Sequence, residues 1–152
     1  MRKTFTLIGL IIAYILSSCV NFNIGILGNR PNSLLQPVAT LIYIITWIVF
    51  LRTFKNNRKV LIFSLIYFMV ALIFTTVITL RILSYFPIAM GFELFLLAII
   101  QLLVHVPFSG IKFFIPHTIT GSHFWLISNG YIIIPALCGV ILCFYSLKAK
   151  RH

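Results

Sequence analysis

Three polar residues recur along one apolar stretch, and they are the residues of this chain best placed to do chemistry. Glu93, Gln101 and His105 fall at about 0°, 80° and 120° around a helix that advances about 100° per residue, so they share one face. Glu93 is the only carboxylate side chain among 152 residues. An ionised group at the centre of a bilayer costs about 2.5–3.5 kcal/mol, so this face is expected to point at other helices or at a hydrated cavity. There, Glu93 would serve as a proton or cation site.

The same stretch also has a purely structural interpretation. Glu93 stands near the start of its apolar run, where a side chain reaches the membrane interface. Arg81 precedes it and is a suitable ionic partner. The sequence leaves both interpretations of Glu93 open, and the structural one is favoured because a single acid is not a motif.

Histidine and serine residues offer two further kinds of chemistry, and neither gains support from their spacing. His105, His117 and His123 are 12 and 6 residues apart, whereas zinc sites use three or four ligands with short local spacing. Ser122 adjoins His123, but no acid is present to orient that histidine as a catalytic triad requires. We therefore expect no metal, no cofactor and no catalytic residue. His117, Ser122 and His123 remain the loop candidates for a site.

The elements that position these residues must lie in a membrane. The chain is 61% hydrophobic and 9% charged, whereas soluble domains carry about a quarter charged residues. A soluble domain of about 150 residues would still expose about a third of its unfolded surface, which this composition does not suit. The expected fold is an all-α bundle of four to five transmembrane helices in a single domain.

Five apolar runs have about the length that a hydrocarbon core of about 30 Å requires. A mixed stretch over 107–130 is expected to be an interfacial loop with a short dip at 111–115. The expected spans cover residues 5–20, 37–51, 60–80, 88–106 and 131–147.

The charge of the chain is strongly one-sided, with twelve Lys and Arg residues giving a formal net charge of +11. These cations stand at the ends of the apolar runs, where they anchor to lipid headgroups, so nucleic acid is not an expected partner. Four of them lie within residues 52–59. This loop is therefore expected to be cytoplasmic, together with the amino terminus.

Span length and charge disagree about the number of crossings. Five crossings place Lys148, Lys150 and Arg151 outside the cell, against the positive-inside tendency. Four crossings, with the Glu93 run tilted or re-entrant, keep this basic tail inside. We expect five, because an apolar run of 19 residues usually crosses.

The first apolar run ends in Leu16-Ser17-Ser18-Cys19, which resembles the lipobox of a bacterial lipoprotein signal. That resemblance covers only the first 19 residues and implies lipidation of Cys19 after cleavage. The residues that follow remain apolar, which favours an uncleaved anchor instead. The three cysteines of the chain lack a CxxC spacing and are expected to act as small buried hydrophobes.

Function is predicted mainly from what the sequence lacks. The first hypothesis is a non-enzymatic accessory or immunity-type protein of a bacterial plasma membrane, acting through lipids, a membrane-protein partner or a second copy of itself. Its cationic surface would repel cationic peptides, and Ser64, Thr75 and Thr79 form a face typical of helix packing. The alternatives are a small transporter or channel subunit that uses Glu93, and a lipid- or quinone-linked enzyme.

Overall fold

Four long α-helices form the bundle. The computed structural model describes residues 2–27, 32–82, 99–116, 118 and 121–148. Each helix contains a stretch of 19 or 20 residues that is long and apolar enough to cross a membrane, and no strand occurs in the described ranges. The prediction of an all-α, multi-pass membrane bundle is confirmed. The helices are α1 (Arg2–Leu27), α2 (Leu35–Thr53), α3 (Arg58–Ile82) and α4 (Gly121–Lys148).

Local hydrogen bonds order the turn before α2 and cap the start of α3. The side-chain Oε1 of Gln36 accepts hydrogen bonds from the backbone N–H groups of Asn32, at 2.9 Å, and Ser33, at 3.1 Å. The Oδ1 of Asn57 accepts from the backbone N–H of Val60 at 3.3 Å. Free N–H groups at a helix start need such acceptors, and asparagine is among the best residues to supply one.

Aromatic rings fill the centre of the bundle between α2 and α3. The ring of Trp47 stacks on Tyr67 with centroids 5.1 Å apart and contacts Phe68 at 4.9 Å. The hydroxyls of Tyr43 and Tyr67 are 2.7 Å apart and share a hydrogen bond. Aromatic pairs in such geometries contribute about 0.5–1.5 kcal/mol beyond the area they bury. These contacts hold α2 and α3 together.

The outward surface of the helices is apolar, as a lipid environment requires. Phe63 on α3 is 68% exposed and Ile134 on α4 is 60% exposed. Contiguous apolar patches of this kind are rare on soluble monomers. The buried positions include small and polar residues, among them Ser64 and Thr75 of the expected packing face, both fully buried. Their hydroxyls donate to the carbonyls of Val60 and Ala71 in the same helix.

The register between neighbouring helices places both ends of the described chain at the same end of the bundle. On α3 and α4, Gly139 lies against Phe68, and Ala136 clusters with Ala71, so these helices run antiparallel. The same register sets the end of α4 beside the start of α3. In α1 and α2, Asn21 bonds Thr40 and Tyr14 contacts Tyr43, so these helices also run antiparallel.

One end of the bundle therefore gathers exposed cations and is called here the cationic end. The four described helices therefore place Lys148 at the same end as the 52–59 loop. This agrees with the alternative of four crossings and not with the expected five. The members of the cationic end are Lys3, Arg52, Lys55, Arg58, Lys59 and Lys148, all exposed.

Cysteine labelling tests this shared end. In a background without native cysteines, Asn56→Cys and Lys148→Cys should respond alike to a membrane-impermeant maleimide, because both positions are exposed at the cationic end. If that end is cytoplasmic, as its charge favours, both are protected in intact cells and both react after lysis. Reaction of one but not the other in intact cells would contradict the even number of crossings.

Between α3 and α4, an inner segment enters the bundle instead of crossing it as a regular helix. It consists of a π-helical turn, Gln101–His105, followed by a 3₁₀ helix, Val106–Phe114. Seven consecutive residues of it, 104–110, are buried. Most of the run predicted as a span over 88–106 lies outside the described residues, and its described end belongs to this segment.

The prediction of an interfacial loop over 107–130 was wrong in two respects. Residues 106–114 are helical and lie mostly inside the bundle, and α4 begins at Gly121 rather than near 131. The physical reason is that Ser109, Lys112 and Asn129 are buried among other polar groups of the protein instead of facing headgroups. Pro107, which looks like a helix breaker, sits in the first turn of the 3₁₀ helix, where a missing N–H is tolerated.

Candidate functional site

A network of buried hydroxyl and amide groups ties the inner segment to α1 and α2. The carbonyl oxygen of Pro107 accepts two hydrogen bonds, from Ser17 Oγ at 2.7 Å and from Thr40 Oγ1 at 3.0 Å. Asn21 Nδ2 donates to Ser17 Oγ at 3.1 Å and to Thr40 Oγ1 at 2.9 Å. All four residues are buried. In a low-dielectric interior such bonds are strong and directional, so this network fixes the position of the inner segment.

Gly110 allows the inner segment to lie directly on the first turn of α2. A Cβ atom at this position would collide with the backbone oxygen of Gln36 and with Thr40 Oγ1. Only glycine offers a backbone without such an atom, so the close approach depends on it. The network around Pro107 and the contact at Gly110 are neighbouring parts of one interface.

A second buried group surrounds His105. Its Nε2 lies 3.4 Å from Oδ1 of Asn129, and its Nδ1 lies 3.4 Å from Oγ of Ser109. Ser109 Oγ also donates to the carbonyl of His105 at 3.0 Å. The ring is fully buried between the side chains of Asn129 and Ser109. A neutral ring with its proton on Nε2 donates to Asn129, which is a structural arrangement that joins the inner segment to α4.

Lys112 is the one cation that the described part of the chain buries. Its side chain is 1% exposed. An ionisable group inside a membrane bundle is costly and is by default a candidate for function. With His105 beside it, the inner segment places two bases in one buried region near the start of the fourth spanning stretch.

The sequence-predicted site residues are only partly brought together. Gln101 is half-buried and His105 fully buried, both in the π-helical turn. Glu93 and His117 lie outside the described residues, and Ser122 and His123 fall in α4 at positions whose side chains are not described.

Cys19 stands on an exposed face of α1, which continues through it without a break. Cys138 is also exposed and Cys143 is buried. The expectation that the three cysteines are buried is therefore met only at Cys143. Whether Cys19 carries a lipid stays a prediction based on the lipobox resemblance.

Sequence reasoning missed the residues that do most to organise the interior. They are Ser17, Asn21, Thr40, Ser109 and Lys112. A usable signal was present in α1, because Ser17 and Asn21 are four residues apart and share one helix face within an apolar run. Polar groups in such a run turn towards the protein rather than the lipid. Their partner is a proline carbonyl 90 residues along the chain from Ser17, which no local pattern indicates.

The described helices form an apolar cleft of about 300 Å³. It lies between α2, α3, α4 and the 3₁₀ helix, with Trp47, Phe68, Phe108 and Gly139 among the residues that line it. The volume is at the lower limit for small-molecule sites in proteins.

No known protein family, curated protein or solved structure matches this chain. Its function therefore has to be inferred from its own geometry. That geometry offers three features: the polar network that fixes the inner segment, the apolar cleft that opens outward, and the cationic end.

Proposed function

We propose that this chain is a non-enzymatic accessory protein of a cell membrane, which acts by contacts of its outer surface with lipids or with another membrane protein. The observation that carries the proposal is a division of roles. Ser17 and Thr40 donate to the carbonyl of Pro107, and Asn21 donates to both hydroxyls, so this network lies inside the protein. The cleft at the outer surface is instead lined by apolar side chains.

Enzymatic function receives little support from the arrangement. A catalytic site needs a nucleophile or base within reach of a space that a substrate can enter. His105 and Ser109 are fully buried, and neither is among the residues that line the cleft. The described part of the chain also contains no group of three or more side chains suited to hold a metal.

The second candidate is a small proton- or cation-coupled transporter, and one observation favours it. His105 and Lys112 are buried together inside a membrane bundle, where ionisable groups commonly mark proton or ion pathways. Glu93 would be the coupling carboxylate of such a pathway. The two candidates differ in whether ions move across the membrane through the protein.

Proteoliposomes distinguish the candidates. The purified full-length chain is reconstituted into vesicles that contain a pH-sensitive dye, and a potassium diffusion potential is applied with valinomycin. We expect proton entry no faster than in empty vesicles, because an accessory protein provides no pathway. Faster entry that Glu93→Gln abolishes, in a variant that still inserts, would establish the transporter and overturn the accessory function.

The immunity-type form of the proposal depends on orientation. Repulsion of a cationic peptide that arrives from outside requires the cationic end to face outside. The positive-inside tendency favours the opposite orientation. Accessory contact with lipids or a partner at the cytoplasmic face is therefore the form that we favour, and the labelling of position 56 decides between the two.

A further inference from the structure

The apolar cleft opens on the surface that faces lipid. Ile48, Ile134 and Leu142 line it and are also exposed, so its mouth is on the outside of the bundle. Its floor is formed by buried rings, among them Trp47 and Phe68. An opening of this kind in a bilayer is accessible to acyl chains without passage through water.

Pro135 and Gly139 of α4 form one side of the cleft. Gly139 lies on the floor, where the Phe68 ring occupies the space that a side chain would need. Pro135, one turn earlier on α4, also lines the cleft and cannot donate a backbone hydrogen bond to Tyr131. A larger residue at position 139 would displace the Phe68 ring, so this glycine keeps the ring in the floor of the cleft.

One end of the cleft reaches the cationic end. Leu51 lines the cleft on α2 and is followed directly by the exposed Arg52. Leu142 lines it on α4, and Lys148 follows roughly 9 Å further along the same helix. Glu93 is the only acidic side chain of the chain, and it lies outside the described residues. An anionic headgroup above the cleft would thus meet positive charge from two helices.

We propose that the cleft holds one acyl chain of an anionic phospholipid whose phosphate rests on the cationic end. This inference rests on the proposed function and specifies the lipid that the accessory protein contacts. An apolar channel continuous with a cluster of cations matches the two parts of such a molecule. A zwitterionic lipid fits the cleft but gains less from the charges, and a side chain of a partner helix gains nothing from them.

Tryptophan fluorescence provides a direct test, because Trp47 lines the cleft and the chain has only two tryptophans. In a Trp125→Phe background, the protein is reconstituted into vesicles of phosphatidylcholine and phosphatidylglycerol with equal amounts of each lipid. Bromine atoms, which quench tryptophan on contact, are placed on the acyl chains of one lipid at a time. We expect quenching by brominated phosphatidylglycerol to exceed that by brominated phosphatidylcholine by about threefold, because the cations enrich anionic lipid locally.

Matched variants separate the cleft from the general lipid surface. Cys138 lines the cleft and Ile141 does not, although both are exposed on α4. Cys138→Phe should reduce the quenching and the lipid preference, and Ile141→Phe should leave both unchanged. Replacement of Arg52 and Lys148 by glutamine should remove the preference but leave quenching itself.

Three results would overturn the inference. Equal quenching by the two brominated lipids would exclude anionic selectivity, and equal effects of Cys138→Phe and Ile141→Phe would exclude the cleft. Absence of quenching by either lipid would show that something other than lipid fills the cleft. In each of these cases, proton entry no faster than in empty vesicles would still support the accessory function. Proton entry that depends on Glu93 would contradict the accessory function, whatever the lipid result.

Discussion

Replacement of Gly110 by alanine should lower the free energy of unfolding by more than about 3 kcal/mol, at the upper end of what overpacking costs. The added Cβ would meet the backbone oxygen of Gln36 and the hydroxyl of Thr40. A backbone atom cannot swing aside as the tip of a long side chain does, so either the inner segment or α2 has to move. Movement there also separates Thr40 from Pro107, which breaks the hydrogen bond of 3.0 Å between them.

Gly130 supplies the control for this substitution. It lies within α4, and a Cβ at this position would have no atom within 4 Å beyond its own neighbourhood. Gly130→Ala should therefore be neutral or should raise stability by up to about 1 kcal/mol, because alanine is the better helix former. Both variants are compared by circular dichroism during titration with sodium dodecyl sulfate in mixed micelles. Equal stabilities of the two would show that the inner segment does not press on α2.

The four spanning helices could be predicted from the sequence because the bilayer sets a simple condition. The runs at 5–20, 37–51, 60–80 and 131–147 each fall inside one of the helices α1 to α4. Only length and the lack of charge were needed, since every backbone polar group must be satisfied within the segment itself. The helix ends extend beyond the runs because polar residues at the bundle ends continue the same hydrogen-bond pattern.

The inner segment could not be predicted in the same way. Residues 101–106 belong to the predicted span over 88–106, and Pro107 and Gly110 favour a loop. What places this stretch inside the bundle is contact with residues far away in the chain, such as Thr40, which is 67 positions from Pro107. A single sequence shows that a residue is polar but not which distant carbonyl it will bond.

For the same reason, the sequence indicated only some residues of the candidate site. The sequence selected Glu93 and His105 by type and helical spacing, and His105 does lie at the centre of a buried polar group. Lys112 fell within the stretch 107–130, which was predicted to be an interfacial loop. Its burial follows from the fold of the inner segment and has no local signature. The role of Glu93 stays a prediction, because this residue lies outside the described residues.

The double substitution Ser17→Ala with Thr40→Val should destabilise the protein by about 4 kcal/mol, because it leaves two buried groups unsatisfied at about 1–3 kcal/mol each. The carbonyl of Pro107 loses both side-chain donors, and Asn21 Nδ2 loses both acceptors. Each single substitution leaves one bond to each of these groups. The double loss should therefore exceed the sum of the single losses by about 1 kcal/mol, a coupling that a double-mutant cycle measures.

Two residues of the same types provide matched controls. Thr46 on α2 and Ser146 on α4 are half-buried, and each donates to a carbonyl of its own helix, that of Ile42 and that of Leu142. Thr46→Val with Ser146→Ala should change stability by no more than about 0.5 kcal/mol per site. The controls thus remove the same hydroxyl groups without affecting the inner segment.

Hydrogen exchange shows whether the network acts on the inner segment in particular. In the Ser17→Ala, Thr40→Val variant, amide exchange over residues 101–114 should accelerate, because the carbonyl that fixes this segment has lost its donors. The first turns of α3, which precede the Tyr67 and Ala71 contacts with the inner segment, should exchange as before. Uniform acceleration across all helices would mean that the network stabilises the bundle as a whole, and unchanged exchange at 101–114 would mean that apolar packing alone holds the segment. Because Phe108 and Ile111 of this segment also line the cleft, loosening it should weaken the quenching of Trp47 by brominated lipid, which would connect the polar interior to the lipid-facing surface.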